Sequence, residues 1–188
     1  MSSNINYCQS GGAIGADTLW IEAAKRAGHE YINYVFETHR SSNNEGSKVL
    51  SQQDLNLADP LLCMANKVLK RKFPTKSDHV NNLLRRNYWQ VKNTNSVYAV
   101  AGLDIDTGLV IGGTAWAIEV FKILYPDSNE IYLYDSRREQ WFQWELIKWN
   151  KISLEDVTEP SGLWTGIGTR DIDSQGEAAI LAVFNRNV

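Results

Sequence analysis

Cysteine is nearly absent from this chain of 188 residues, which carries only Cys8 and Cys63, one in a strand-like run and one in a helix-like run, with no C-x-x-C spacing. That excludes a disulfide scaffold, a cysteine-based zinc site and a dithiol redox motif, and reads as two buried free thiols. Histidine is as sparse. His29, His39 and His79 include no pair with metal-ligand spacing, so no metal is predicted, although Mg²⁺ is compatible with a phosphate ligand. Positive charge is not in excess either. Nineteen Lys and Arg against 22 Asp and Glu give a net charge of −3, which removes any global attraction for nucleic acid or anionic membranes. No run of 18 apolar residues occurs, and Met1 to Ile5 lacks the basic and apolar parts of a signal region, so the chain is expected to be soluble and cytoplasmic. With 43% hydrophobic and 22% charged residues the composition excludes disorder, and the length suits one core, a single domain over residues 1–188.

Against these absences stand three glycine-rich turns, each between a strand-like and a helix-like segment. The first is Gln9-Ser10-Gly11-Gly12-Ala13-Ile14-Gly15-Ala16-Asp17, after the strand-like Ile5–Cys8 and before a helical pattern from Thr18 to Ala27 that stops at Gly28. Such an arrangement suits an anion, because glycine lets backbone approach a ligand and the first turn of a helix presents unpaired N–H groups. It is neither the dinucleotide fingerprint nor a P-loop, and a tight turn without a ligand has the same pattern. The second is Ile111-Gly112-Gly113-Thr114, opening a helix from Ala115 to about Leu124. The third is Thr165-Gly166-Ile167-Gly168-Thr169-Arg170, after a strand from Leu163 and before a helix within 173–187. Three turns at the carboxyl ends of strands in one sheet would converge on one crevice.

The remaining segments complete an α/β pattern. Tyr31–Phe36 and Glu130–Tyr134 have strand character, and Ser96–Ala101 is a continuous apolar run suited to a strand covered on both faces. Asp59-Pro60 starts a helix that Phe73-Pro74 ends, and Ser77-Asp78 caps another through Tyr88. Asp135–Arg138 reads as a turn into Gln140–Trp144, an antiparallel hairpin at the sheet edge. Glu37–Lys48 is polar, a lid over a crevice or a solvated connection, and 145–161 gives no clear period. Lys67, Lys70, Arg71, Lys72 and Lys76 form a basic cluster, either a solvated face or a nucleic-acid contact. Arg85 to Gln90 offers groups able to pair with phosphate and to hydrogen-bond a base or sugar. Seven tryptophans and eight tyrosines are a high load that serves cores, interfaces and base stacking alike.

Ser10-Gly11-Gly12-Ala13-Ile14-Gly15-Ala16-Asp17, Gly112-Gly113-Thr114 with Trp116-Ala117-Ile118, Gly166-Ile167-Gly168-Thr169-Arg170 and Arg86-Asn87-Tyr88-Trp89-Gln90 together resemble the SLOG superfamily. This Rossmann-like group is named for the DprA DNA-processing proteins and the LOG cytokinin-activating enzymes, and the similarity is to its small phage and bacterial members. In the commoner order the Gly-Ile-Gly-Ser/Thr-Arg unit comes first. Here it comes last, so the chain resembles a circular permutant, and the strands before Ser10 and Gly166 are expected to be neighbours. The resemblance implies a Rossmann-like parallel sheet flanked by helices, and a nucleotide-derived ligand such as ADP-ribose or a cyclic ADP-ribose-like immune signal, which a phage anti-defence protein would sequester in the host cytoplasm.

In that reading backbone N–H groups at Gly11 to Ala13, Gly113-Thr114 and Gly168-Thr169 hold phosphates, with Gly12, Gly15, Gly112 and Gly166 shaping the turns. Ser10, Thr114, Thr169 and Arg170 add side-chain donors, while Arg86, Asn87 and Gln90 complete the binding set. Asp17 either accepts from a ribose hydroxyl or braces its own turn. No cofactor is required. A second reading is a LOG-like enzyme cleaving an N-glycosidic bond, for which Glu119 and Asp17 are the candidate carboxylates. The LOG string Pro-Gly-Gly-x-Gly-Thr-x-x-Glu is absent, and Glu119 lies two positions further from Thr114. A third is DprA-like single-stranded DNA binding through the basic cluster with Tyr88 and Trp89, against which the net acidity counts. A homo-oligomer is expected from the resemblance and the tryptophan load, with Trp141, Trp144 and Trp149 as interface candidates. Of the histidines, only His39 is an active-site candidate.

Overall fold

The computed structural model describes residues 5–39 and 45–185. Its strands are β1 (Tyr7–Ser10), β2 (Glu30–Phe36), β3 (Ser47–Leu50), β4 (Ser96–Ala101), β5 (Leu103–Asp104), β6 (Leu109–Val110), β7 (Ile131–Asp135), β8 (Gln140–Glu145), β9 (Lys148–Ile152) and β10 (Leu163–Gly168). The helices are α1 (Ala16–Arg26), α2 (Gln52–Asn56), α3 (Asp59–Leu69), α4 (Asp78–Val91), α5 (Thr114–Leu124) and α6 (Ser174–Phe184). Eight strands form one sheet in the order β3-β2-β1-β10-β4-β7-β8-β9. The first six are mutually parallel, β8 runs antiparallel to β7, and β9 antiparallel to β8. A mostly parallel α/β sheet with an antiparallel edge is thus the architecture, as the sequence pattern predicts.

The strands before Ser10 and Gly166 are neighbours, as expected. β1 lies parallel to β10 with Cys8 opposite Trp164, so the first and last strands of the chain sit side by side in the middle of the sheet. The end of α6 comes back beside the start of β1: the Phe184 ring is 5.7 Å from the His29 ring, and His29 Nε2 is 3.2 Å from Asn6 Nδ2. The two faces follow from strand alternation. Val97, Ala99, Ala101, Ile131, Leu133 and Ile167 point toward α3, α4 and α5. Cys8, Tyr98, Val100, Tyr132 and Trp164 point toward α1 and α6.

On this second face α1 buries Ala16, Trp20, Ala23 and Ala24, a stripe at helical spacing. Trp20 is fully buried, edge-on to Trp164 with centroids 5.9 Å apart, tilted on Tyr98 at 5.8 Å, and its indole N–H donates to the Ile167 carbonyl at 3.2 Å. Gly166 makes room for it, since a Cβ there would overlap the Trp20 side chain.

Several elements differ from the sequence reading. β3 and α2 emerge from the end of the polar segment 37–48 and beyond it, and residues 40–44 of that segment lie outside the described residues. β9 is drawn from the stretch without a clear period, so β9 rather than β8 forms the edge. Short charged strands at an edge lack the apolar alternation of inner ones. Asp59 does not cap α3. Ala58 occupies that position, and the Asp59 carboxylate takes a bidentate pair from Arg85 at 2.6 and 2.9 Å.

The tryptophans expected at an interface are engaged within the chain. Trp141 is buried against Tyr134, Trp144 and Trp149 pack edge-on at 5.3 Å, and the Lys122 ammonium lies 3.3 Å from the Trp144 ring centre. Cys63 is exposed rather than buried, whereas Cys8 is buried.

Trp20→Ala is expected to lower stability by about 3–5 kcal/mol, because it removes the centre of this aromatic cluster and leaves a cavity. Urea unfolding followed by circular dichroism measures it, and a loss under about 1 kcal/mol would contradict the packing described.

Candidate functional site

Because six strands run parallel, the loops that follow them gather on one edge of the sheet. Chain order carries β1 to β3 outward on one side and β4 to β9 outward on the other, with β10 between, which makes this edge the place where an open α/β sheet accommodates a ligand. A crevice of about 920 Å³ lies there. Its walls come from the loops after β1 (Ala13, Ile14), β2 (Thr38, His39), β10 (Thr169, Arg170, Asp171), β4 (Ala101, Gly102) and β7 (Ser136, Arg137). The floor and back are Asn87 and Gln90 of α4, with Gly112, Gly113, Thr114 and Ala117 where α5 begins.

The first glycine turn is organised around its own carboxylate. Asp17 is 5% exposed, and its carboxylate accepts from the amides of Gly11, Ala13 and Gly168, the last at 3.2 Å. Gln90 Nε2 is 3.5 Å away, and the Arg86 guanidinium 3.7 Å away. Burial is the largest influence and holds the Asp17 carboxyl above its usual range, against the pull of Arg86 and the three amides. Of the two roles open to Asp17, bracing is the one these contacts serve, although the residue also borders the crevice.

The amides expected to hold phosphate at Gly11 and Ala13 are therefore turned to an internal anion. The first amide of α1 is also occupied, since Ala16 N–H donates to the Thr169 carbonyl at 3.0 Å. Gly15 sits at φ 99°, and a Cβ there would collide with the carbonyls of Thr169 and Arg170, so this glycine serves the contact of two loops. Gly12 continues the turn at φ 59°.

Ser10 differs from the expectation in the same way. Its buried hydroxyl donates to the Gly166 carbonyl at 2.6 Å and lies 3.3 Å from that of Asp17, so it clasps β1 to β10 instead of facing a ligand. Gly168 is packed under Val100 and Ala16 while still bordering the crevice. Glu119 is the clearest correction to the candidate carboxylates. It is buried against Lys122 at 2.9 Å and is not a crevice residue. At about 100° per residue, a helix that turns Ala117 into the crevice turns Glu119 roughly 200° away.

Arg86 is 6% exposed and acts as a tie between loops. Its Nη1 donates to the Gly11 carbonyl at 2.6 Å and lies 2.7 Å from His39 Nε2. Burial, then the charges of Arg86, His79 and Arg170, lowers His39 to about 4, so the imidazole is neutral at physiological pH. Arg86 Nε, His39 Nδ1 and Gln90 Oε1 are buried without a hydrogen-bond partner among the described residues.

The second glycine turn is different. Gly113 caps α5 without any side-chain cap, and a Cβ added at Gly112 or Gly113 would meet nothing within 4 Å. Arg71 clasps the carbonyls of this turn, donating to Gly112 at 2.6 Å and Val110 at 3.3 Å. Asn87 Nδ2 is 3.5 Å from the Gly113 carbonyl. An uncapped helix start beside open space offers N–H donors and a positive dipole end.

The arginines divide sharply. Arg71, Arg85, Arg86 and Arg138 are bonded to protein acceptors, whereas the guanidiniums of Arg137 and Arg170 pair with none of the described residues, and both border the crevice. Sequence reasoning selected Arg170 and missed Arg137, together with Thr38, His79 and Ser136. The signal for these was positional only: each follows a strand's carboxyl end or begins the helix facing it.

No protein-family model matches the sequence, and no curated protein matches it. Among solved structures, the "Putative molybdenum carrier protein" of Syntrophus aciditrophicus SB is similar in fold. Its TM-score is 0.54 at 17% identity, over 96% of this chain and 92% of that one. The likeness covers nearly all of both chains and shows the fold.

A histidine held low in the fold refuses a proton that the unfolded chain accepts. Its stabilising contribution is complete above the ordinary value of 6.5 and is lost as pH falls to about 4. The loss at pH 4 is on the order of 3 kcal/mol at most. His39→Gln is expected to flatten the unfolding free energy between pH 7 and 4 relative to the natural chain, measured by urea titration; parallel curves would refute the buried neutral imidazole.

Proposed function

We propose that the chain binds a phosphate-bearing, nucleotide-derived small molecule in this crevice and holds it intact. The observation that carries this reading is the pairing of an uncapped, unobstructed α5 start at Gly113-Thr114 with Arg170, a guanidinium that no described residue neutralises. Helix amides and a planar guanidinium are complementary to a phosphate group. The crevice volume lies toward the upper end of the about 300–1,000 Å³ usual for small-molecule sites, ample for a nucleotide. The motifs resembling the SLOG superfamily favour ADP-ribose or a cyclic ADP-ribose-like signal, and a chain that holds such a signal without an effector would act as a sink for it, the behaviour of an anti-defence protein.

Holding is favoured over cleavage by the carboxylates. Glu119 faces away from the crevice, and Asp17 is enclosed by three amides and Arg86, so neither is arranged to activate water at a sugar carbon. Single-stranded DNA is disfavoured by the basic cluster. Lys67, Lys70, Lys72 and Lys76 are exposed outside the crevice, and Arg71 is bonded to the Gly112 turn.

Mass spectrometry of compounds released by heat, after incubation with NAD-derived and cyclic nucleotides, tests the reading. Intact release of one compound is expected. Free base with ribose phosphate or ADP-ribose would instead mean glycosidic cleavage. Molybdate belongs in the panel because the similar fold is named for a molybdenum carrier, and its uptake with no nucleotide bound would overturn the proposal. Arg170→Ala is expected to weaken nucleotide binding about 10- to 100-fold, the weight of a charged hydrogen bond, with unfolding unchanged. Gly113→Asp, which sets a carboxylate at the α5 start in open space, should abolish binding in calorimetric titration.

A further inference from the structure

Arg170 lies on the β10 side of the crevice, close enough to the loop after β2 to bear on the His39 imidazole. Arg137 lies at the β7 end, on the turn between β7 and β8. Its place there is built. Asp135, fully buried, accepts from the amides of Leu103 and Arg137 at 3.2 Å each and from the Arg138 guanidinium at 2.6 Å, which pins the turn to the end of β4 and commits Arg138 to the fold. Gly102 leaves room beneath Arg137, because a Cβ on it would lie 3.1 Å from Arg137 Nε and 3.2 Å from Ile111 Cδ1. Arg137 is exposed, and its guanidinium makes no hydrogen bond or close ion pair with a described residue; its charge bears on Asp104, whose carboxylate accepts from the amides of Asp106 and Thr107.

The walls therefore run from Thr38 and His39 after β2 to Ser136 and Arg137 after β7, across β1, β10 and β4. Four inter-strand steps of 4.7–4.9 Å make that roughly 19 Å. Arg170 follows β10, midway along this span, and Arg137 follows β7 at its end, two inter-strand steps or roughly 10 Å apart; the uncapped α5 start borders the same crevice.

Resting on the proposed nucleotide reading, we propose that the crevice selects a ligand with two anionic or polyhydroxyl parts joined in line, a diphosphate bearing a second sugar, and that Arg137 holds the part lying on the β7 side. Arg137 is thereby a specificity-determining residue: it distinguishes an extended nucleotide diphosphate from a mononucleotide, while Arg170 serves both.

Calorimetric titration of the full chain with AMP, ADP and ADP-ribose, in the natural protein, Arg137→Ala, Arg137→Glu and Arg170→Ala, tests this. The natural chain is expected to bind ADP-ribose at least 10-fold more tightly than AMP. Arg137→Ala should reduce that preference to under 3-fold and leave AMP affinity unchanged, Arg137→Glu should weaken ADP-ribose further, and Arg170→Ala should weaken both. Equal ADP-ribose affinity in the natural chain and both Arg137 variants would overturn the assignment of Arg137 while leaving the nucleotide reading standing. A natural chain that binds none of the three would overturn both. Because the exposed Arg137 side chain makes no hydrogen bond to a described residue, urea midpoints of its variants close to that of the natural chain are the accompanying control.

Discussion

The carboxylate of Asp17 is the contact on which the arrangement of the crevice depends. Three amides from two loops, the Gln90 amide and the Arg86 guanidinium converge on it, so that β1, β10 and α4 are locked to one another at a single buried charge. A charge this deep is unfavourable unless paired and fully hydrogen-bonded, and removal of either partner leaves the other uncompensated. The turn that most resembles an anion-binding loop is thus closed by an anion that the chain itself supplies.

That closure shifts the anion-binding capacity of the molecule to the start of α5. There, among the described residues, no side chain caps the helix and the glycines face open space instead of a neighbouring loop. The contrast between the two turns is one of crowding. Gly15, Gly166 and Gly168 are glycine because carbonyls, Trp20 and Ala16 press against them, while a Cβ at Gly112 or Gly113 would meet none of the described residues. The same division separates the arginines that tie loops together from the two that stand at the rim.

The antiparallel strands at the sheet edge connect fold to site in a second way. β8 and β9 cover the aromatic face of α5 through Trp144, Trp149 and Lys122. The turn that starts them carries Ser136 and Arg137 into the crevice under the control of Asp135. An edge hairpin thus fixes a wall of the binding cleft, and its tryptophans are engaged in holding that wall.

What the sequence by itself determined is the succession of strands, glycine turns and helices. The apolar run Ser96–Ala101, the helical pattern of α1 and the cap at Ser77 are local properties, written in adjacent residues and in the period of burial. The neighbouring of β1 and β10, and the gathering of three glycine turns at one edge, were legible too, because parallel strands place their carboxyl ends together. Only the tertiary structure decided which donors are free. Gly11 and Gly113 look alike in sequence, yet one lies under Arg86 and the other beside empty space, a difference set by residues 75 and 26 positions away. Likewise Arg137 and Arg138 are adjacent and chemically identical. The buried Asp135 claims one, and the register of β7 against β4 and β8 leaves the other to the crevice.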